Sequence, residues 1–75
     1  MSEEIVKMEG VVVLFSEEGG YGEVEVGERH VERFRFSLTA FYSRGAPRYP
    51  RVGEMVDVMV GVSEDGWSIR GVASK

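Results

Sequence analysis

The chain has 75 residues, of which 43% are apolar and 29% charged, so we expect one small folded domain over residues 1–75 and exclude a two-domain enzyme. It has no cysteine, which excludes disulfide bonds and thiolate metal sites. The net charge of −4 argues against tight, indiscriminate binding of polyanions, because such binding requires many Lys and Arg side chains.

From the sequence we expect neither a membrane helix nor a secretion signal at the N-terminal segment. No apolar run in the chain approaches the roughly 20 residues that a membrane helix needs, and residues 1–4 are acidic where a signal peptide is basic. We therefore expect a cytoplasmic protein that does not engage a membrane. Residues 1–5 are expected to form a flexible tail.

Alternating and β-branched runs between Gly-containing turns predict an all-β protein. Five strands are expected, at residues 6–15, 21–26, 31–37, 53–60 and 67–72. The first is apolar on both faces near its end, as expected of a bent strand shared by two halves of a barrel. A helical turn at residues 38–41 and a long loop at 42–51 separate the third strand from the fourth. A meander, a long connection and a closing hairpin favour a five-stranded antiparallel Greek-key barrel, the OB-fold, over an SH3-like barrel.

The same alternation predicts the core and one strand register. The expected core residues are Val12, Val24, Val26, Phe34, Phe36, Val56, Val58, Val60 and Ile69. If the Val side chains of the second strand point inward, Glu23 lies opposite Arg35, and Glu25 lies opposite Arg33. Opposite charges facing each other across a sheet contribute about 0.2–1 kcal/mol per pair. The outer face of these two strands is therefore predicted to be a solvated Glu/Arg ladder.

Charge is unevenly distributed along the chain. Residues 1–28 hold eight Glu and one Lys, for a net charge of −7, whereas residues 29–51 hold six Arg and one Glu, for +5. Residues 52–75 hold two basic and four acidic side chains, for −2. Any anion-binding surface must therefore draw on the middle third, where every basic group is Arg, the residue suited to bidentate and stacking contacts.

The long loop holds the strongest candidates for a binding site. Basic and aromatic side chains are interleaved there, and we expect them to have no acidic neighbour: Tyr42, Arg44, Arg48, Tyr49 and Arg51. Such a mixture suits phosphate contacts combined with base stacking. It equally fits an acidic protein partner, since Tyr and Arg are enriched at binding hot spots. A third interpretation is a solvated loop whose Tyr rings cover one end of the barrel.

Other candidates have simpler explanations. His30 is the only histidine and lies in a predicted turn, so neither a metal site nor acid/base catalysis can be assembled around it. The glycines of residues 19–22 precede no helix and are assigned to a turn. Trp67 is expected in the core or at its rim. Met55 and Met59 are expected to point outward, as packing at an edge or as an adaptable patch. We expect no enzyme activity, metal or cofactor.

Four segments carry motif-like runs: Met-Glu-Gly-Val-Val-Val-Leu-Phe-Ser at residues 8–16, Gly-Gly-Tyr-Gly-Glu-Val at 19–24, Phe-Arg-Phe-Ser-Leu-Thr-Ala-Phe at 34–41 and Gly-Glu-Met-Val-Asp-Val at 53–58. In this order they resemble the cold-shock domain, a small OB-fold family that binds single-stranded RNA and DNA. Residues 8–16 resemble its opening Met-x-Gly-x-Val-Lys-Trp-Phe-Asn, and residues 19–24 fall at its first ribonucleoprotein motif, Lys-Gly-Tyr-Gly-Phe-Ile. Residues 34–41 lie over the second motif, Val-Phe-Val-His-Phe-Ser-Ala-Ile. Residues 53–58 resemble a later Gly-Gln-x-Val-x-Phe segment, and residues 71–72 stand where Asn-Val closes the barrel. The resemblance extends over residues 8–72.

The chain departs from the family at the positions that bind bases. Those positions are occupied here by Val13, Leu14, Glu23, Arg35, Ser37 and Leu38, and only Phe15 and Tyr21 remain aromatic. The resemblance implies weak, salt-dependent binding of single-stranded RNA or DNA through Phe15, Tyr21, Arg35 and the loop residues named above. The alternative is an OB-fold module that has lost nucleic-acid binding and binds another protein.

Overall fold

The computed structural model of the chain describes residues 3–27 and 32–75 and is all-β, as predicted. Its strands are β1 (Glu4–Ser16), β2 (Tyr21–Val26), β3 (Glu32–Ser37), β4 (Phe41–Tyr42), β5 (Met55–Ser63) and β6 (Gly66–Ser74). They form one sheet in the order β3-β2-β1-β5-β6-β4, and a 3-10 turn at Leu38–Ala40 joins β3 to β4.

Strand β1 makes the sheet curl, because it pairs with two neighbours in succession. Its first part lies antiparallel to β5 and its second part antiparallel to β2, and Gly10 is opposite both Val56 and Val26. A Cβ atom at Gly10 would lie 2.9 Å from the carbonyl oxygen of Glu25 and 2.9 Å from a methyl group of Val26. Glycine thus permits the close approach at the bend, and the sheet becomes a half-barrel.

The core follows the predicted alternation closely. Its buried members are Val12, Val24, Val26, Phe36, Val56, Val58, Val60 and Val72, and Phe34 and Ile69 pack against them partly buried. Val72 was not predicted. The register of β5 and β6 shifts so that Val60 faces Ile69 and Met59 faces Gly71, and this bulge places both Ile69 and Val72 on the inner side.

The number of strands differs from the prediction of five. Strand β4 is a sixth, and it lies parallel to β6, with Phe41 opposite Val72 and Tyr42 opposite Ala73. Two residues show no alternation, so sequence patterning assigned them to a turn and a loop. Strand β1 also begins at Glu4, which brings residues 4–5 of the expected tail into the sheet.

The edge between β3 and β6 is bridged by aromatic side chains. The rings of Phe34 and Trp67 stack with centroids 6.1 Å apart, and Trp67 remains 49% exposed, a rim position as expected. Met55 points outward and is half exposed. The predicted turn residue His30 and the first residue of the predicted third strand, Val31, lie outside the described residues. Within the described part of the chain, no helix has the length and apolarity to cross a membrane.

Candidate functional site

The surface of β2 and β3 that points away from the core is called the outer face here. It is formed by Tyr21, Glu23, Glu25, Arg33, Arg35 and Ser37. The predicted register is confirmed, because Glu23 lies opposite Arg35 and Glu25 lies opposite Arg33. The intervening residues of β2 point to the core and are buried, so the alternation of side chains along the strand separates charged from apolar residues.

Glu23 binds both arginines of the outer face. One carboxylate oxygen, Oε1, lies 3.0 Å from Nε of Arg33, and the other, Oε2, lies 3.0 Å from Nη2 of Arg35. Glu25 is more distant, at 3.9 Å from Arg33. The Glu23 side chain is only 15% exposed, whereas that of Arg35 is 64% exposed. The two guanidinium groups therefore converge on one carboxylate beneath them.

The one aromatic ring of the outer face is covered. The guanidinium carbon of Arg35 lies 4.1 Å from the centroid of the Tyr21 ring, which is cation–π geometry. Arg35 thus contacts Glu23 and Tyr21 at once. A base that stacked on this side of Tyr21 would first have to displace Arg35.

Phe15, the other retained aromatic residue, lies on the opposite side of the sheet. It is opposite Gly22, which in turn is opposite the buried Phe36, so these three positions share the core side. The Phe15 ring contacts that of Tyr49 at a centroid distance of 5.4 Å and a tilt of 36°. The structure therefore separates Phe15 from Tyr21 and brings it to the long loop.

Near Phe15 the loop forms an open groove of about 350 Å³. The groove, called the loop groove here, is lined by Leu38, Phe41, Pro47, Arg48, Tyr49 and Pro50. Pro50 is buried, while Tyr49 is 53% exposed and presents part of its ring to solvent. An open groove with aromatic walls suits a flat, unsaturated ligand group.

Arg48 has an acidic partner, contrary to the expectation of a loop without one. Its guanidinium group binds the carboxylate of Glu54 through both terminal nitrogens, and its Nη1 also donates to the Tyr49 carbonyl oxygen at 3.0 Å. The hydrogen bond from Arg48 lowers the pKa of the Glu54 carboxyl, and the same bond raises the pKa of Arg48. Arg48 is therefore a structural part of the groove wall rather than a free cation.

Glu54 also fixes the loop to the sheet. Its side chain accepts a hydrogen bond from the backbone N–H of Arg51 at 3.0 Å, and its carbonyl oxygen accepts one from the N–H of Val12 at 2.9 Å. The N–H of Gly53 donates to the Val12 carbonyl oxygen at 2.7 Å. Sequence reasoning missed Glu54, because a side chain six residues from Arg48 in an aperiodic segment carries no pairing signal.

The remaining loop candidates lie apart from the groove. The backbone N–H of Arg44 donates to Oγ of the buried Ser74 at 2.6 Å, and its side chain borders an open cleft that also contains Lys7, Glu9, Asp57 and Lys75. Tyr42 is 58% exposed and lies against Gly71, where an added Cβ would be 3.3 Å from its ring. The predicted loop site thus divides into a groove with Tyr49 and a separate edge with Tyr42 and Arg44.

Among residues 3–27 and 32–75, no group of three or more His, Asp or Glu side chains is placed to hold a metal ion. Comparison of the chain with protein-family models, curated proteins and solved structures gives no match. The function must therefore be inferred from the geometry of the outer face and the loop groove.

Proposed function

We propose that the protein is a cold-shock-like OB-fold protein that binds single-stranded RNA or DNA weakly, at the loop groove. The observation that carries this proposal is the half-exposed Tyr49 ring, held against Phe15 at the groove. Stacking of one base on such a ring contributes about 1–3 kcal/mol. The outer face is a poorer candidate, because its ring and both its arginines already have partners in the fold.

The assignment to an OB-type Greek-key barrel is supported by the strand neighbours. Strand β1 lies between β2 and β5, as a strand shared by two halves of a barrel must. The meander β1 to β3 is followed by a connection that brings β4 parallel to β6, so the two ends of the sheet approach each other. The stacked rings of Phe34 and Trp67 also bring β3 close to β6.

The electrostatic contribution to binding is expected to be small. Among the described residues, Arg44 and Arg51 of the loop have no carboxylate within ion-pair distance, whereas Arg48 is bound to Glu54. Each phosphate contact contributes about −0.7 to the slope of log affinity against log salt for a single strand, so two contacts give about −1.4. Binding should therefore be weak, and it should fall by about 25-fold for each tenfold rise in salt.

Titration of ¹⁵N-labelled protein with hexathymidine and hexauridine tests the proposal. We expect amide shifts around the loop groove at low salt, and a flatter salt slope in the Arg44→Gln/Arg51→Gln double variant. Arg70→Gln is the matched control, because Arg70 is bound to Glu3 at 2.8 Å, far along the chain from the loop. A slope that is unchanged in the double variant refutes the electrostatic assignment. Absence of amide shifts with both oligonucleotides refutes nucleic-acid binding.

The second candidate is a protein-interaction module, favoured by the half-exposed Trp67. Trp is enriched at the centres of protein interfaces, and Trp67 lies on Phe34 at the edge between β3 and β6. Emission from Trp67, the only tryptophan, reports directly on that edge. A partner protein that changes this emission, in a protein that shows no shifts with either oligonucleotide, would establish this candidate.

A further inference from the structure

On the outer face, the carboxylate of Glu23 bridges two guanidinium groups. Its two oxygens each lie 3.0 Å from a nitrogen of a different arginine, Arg33 and Arg35. A phosphodiester presents a comparable pair of oxygens, and guanidinium groups bind carboxylate and phosphate in the same fork-like manner. The Glu23 carboxylate is thus placed where a phosphate group would bind between the two arginines.

We propose that the outer face is a second oxyanion site, for a backbone phosphate of a single strand, which Glu23 occupies in the free protein. The inference takes its ligand class from the proposed function, but its site, residues and geometry are separate from the loop groove. In this arrangement Glu23 is an intramolecular competitor. A phosphate group that bridged Arg33 and Arg35 in the same way would have to displace the carboxylate.

The pattern of contacts is more specific than a simple ladder of opposite charges. A ladder would pair each Glu with the Arg across from it, yet Glu25 is 3.9 Å from Arg33 while both arginines contact Glu23. Glu23 is also the least exposed of these charged side chains, at 15%. The arginines are thereby drawn together over one partly buried carboxylate.

The same contacts mask an aromatic ring together with the cations. Arg35 lies 4.1 Å over the Tyr21 ring while it binds Glu23. A ligand that drew Arg35 onto a phosphate would uncover part of this ring for a base. Cationic groups and an exposed ring are the two components of single-strand binding, and here both are engaged within the fold, the ring by Arg35 and the cations by Glu23.

Neutralisation of Glu23 changes the net charge of the outer face. With two Glu and two Arg the outer face sums to zero. Glu23→Gln keeps the shape of the side chain and leaves a net positive charge between Tyr21 and Arg33. Glu25→Gln changes the net charge equally but leaves the bridge between the two arginines intact, so it is the matched control.

Binding of inorganic pyrophosphate, followed through the Nε–H resonances of Arg33 and Arg35, tests the proposal without oligonucleotide. We expect Glu23→Gln to bind pyrophosphate about tenfold more tightly than the wild-type protein, since a charge-assisted hydrogen bond no longer has to be broken. Glu25→Gln should change affinity by less than about threefold, the effect of one exposed charge. Equal affinities of Glu23→Gln and wild type, or a gain that leaves both arginine resonances unmoved, would overturn the proposal.

Two further measurements keep this result separate from the loop groove. Hexathymidine should bind Glu23→Gln with a salt slope steeper by about 1.4, because two arginines become available. If Tyr49→Ala leaves hexathymidine binding unchanged while Glu23→Gln still gains pyrophosphate affinity, binding at the loop groove is refuted. The proposed phosphate site on the outer face is then retained. If Glu23→Gln fails to fold, wild-type protein at high pyrophosphate must show shifts at Arg33 and Arg35 that Arg35→Gln abolishes, and their absence would overturn the proposal.

Discussion

The outer face and the loop groove contain the same kinds of side chain but present them in opposite ways. On the outer face Arg35 lies over Tyr21, and its charge is taken by Glu23, so neither the cation nor the ring is free. In the loop groove the ion pair of Arg48 with Glu54 supports the wall, and the Tyr49 ring remains half exposed. The position of the carboxylate relative to the ring therefore differs between the two regions, and it leaves Tyr21 covered and Tyr49 accessible.

Each arrangement has a local cause. In the sheet, residues directly across from each other are held at a fixed distance. The backbone pairing therefore already places a Glu within contact distance of the Arg opposite it. In the loop, Glu54 is held by backbone hydrogen bonds to Val12 and Arg51, and it draws Arg48 down to the sheet edge. The ring of Tyr49 is then left on the outside of the turn.

Truncation of the core beneath the outer face should have the largest effect on stability. Phe36 is 3% exposed and lies between Arg35 and Ser37 of the outer face. Phe36→Ala should lower the free energy of unfolding by about 3–5 kcal/mol, the usual cost of a large cavity. Urea denaturation followed by Trp67 emission measures this loss.

A conservative core variant keeps that measurement interpretable if Phe36→Ala does not fold. Phe36→Leu should cost less than Phe36→Ala and remain folded, with one cooperative transition. Two separate transitions, one for the sheet and one for the loop, would show that the regions do not share a core.

Removal of the two tyrosine rings should sharpen the contrast in binding. Tyr49→Ala should weaken hexathymidine binding by about 1–3 kcal/mol, because a stacking ring is lost. Tyr21→Ala should change it little, since Arg35 already covers that ring. Tyr42→Ala is a further control, as exposed as Tyr49 but outside the groove. Equal losses in Tyr21→Ala and Tyr49→Ala would contradict the comparison.

The ion pair that supports the groove should make its stability depend on pH. Hydrogen bonding from Arg48 lowers the pKa of Glu54 below its ordinary value of 4.5. This group therefore stabilises the fold at pH values above 4.5, and the stabilisation is lost as pH falls through the lowered pKa of the folded state. Glu54→Gln should reduce the urea midpoint at about pH 7, and its difference from the wild-type protein should shrink as the pH falls through the lowered pKa of Glu54.

Glu3 provides the control for this pH dependence. Its pKa is also lowered, by the hydrogen bond from Arg70, so the wild-type protein should lose stability from both groups in acid. Glu3→Gln should show a similar pH-dependent loss of stability, through its bond with Arg70, without altering the amide resonances of residues 47–51. If Glu54→Gln retains its full difference from wild type in acid, the stabilisation does not come from the ionised carboxylate.

The smallest expected effect is the coupling across the outer face. A double-mutant cycle of Glu23→Gln and Arg35→Gln should give about 0.2–1 kcal/mol, as for opposite charges facing each other across a sheet. The cycle of Glu25→Gln and Arg35→Gln should give less, because no contact joins those two side chains in the described residues. A coupling of zero for the first cycle would mean that solvent screening removes the interaction.

Sequence patterning predicted the sheet better than the connections. The register of β2 and β3 was correct at every described pair, because apolar and charged residues alternate there with a period of two. Strand β4 and the shifted register of β6 were missed, since a two-residue strand and a bulge interrupt that period. For the candidate site, the sequence identified the residue types of the loop but not their partners.

The sequence by itself determined the all-β class, most of the core and the pairing of Glu23 with Arg35, because side chains on neighbouring strands meet wherever the alternation continues. Tertiary structure alone decided that Phe15 joins Tyr49, that Arg48 binds Glu54, and that Arg33 is drawn to Glu23. These contacts depend on where an aperiodic loop returns to the sheet and on which side-chain rotamer best satisfies a partly buried charge. Neither quantity has a repeat along the chain from which it could be predicted.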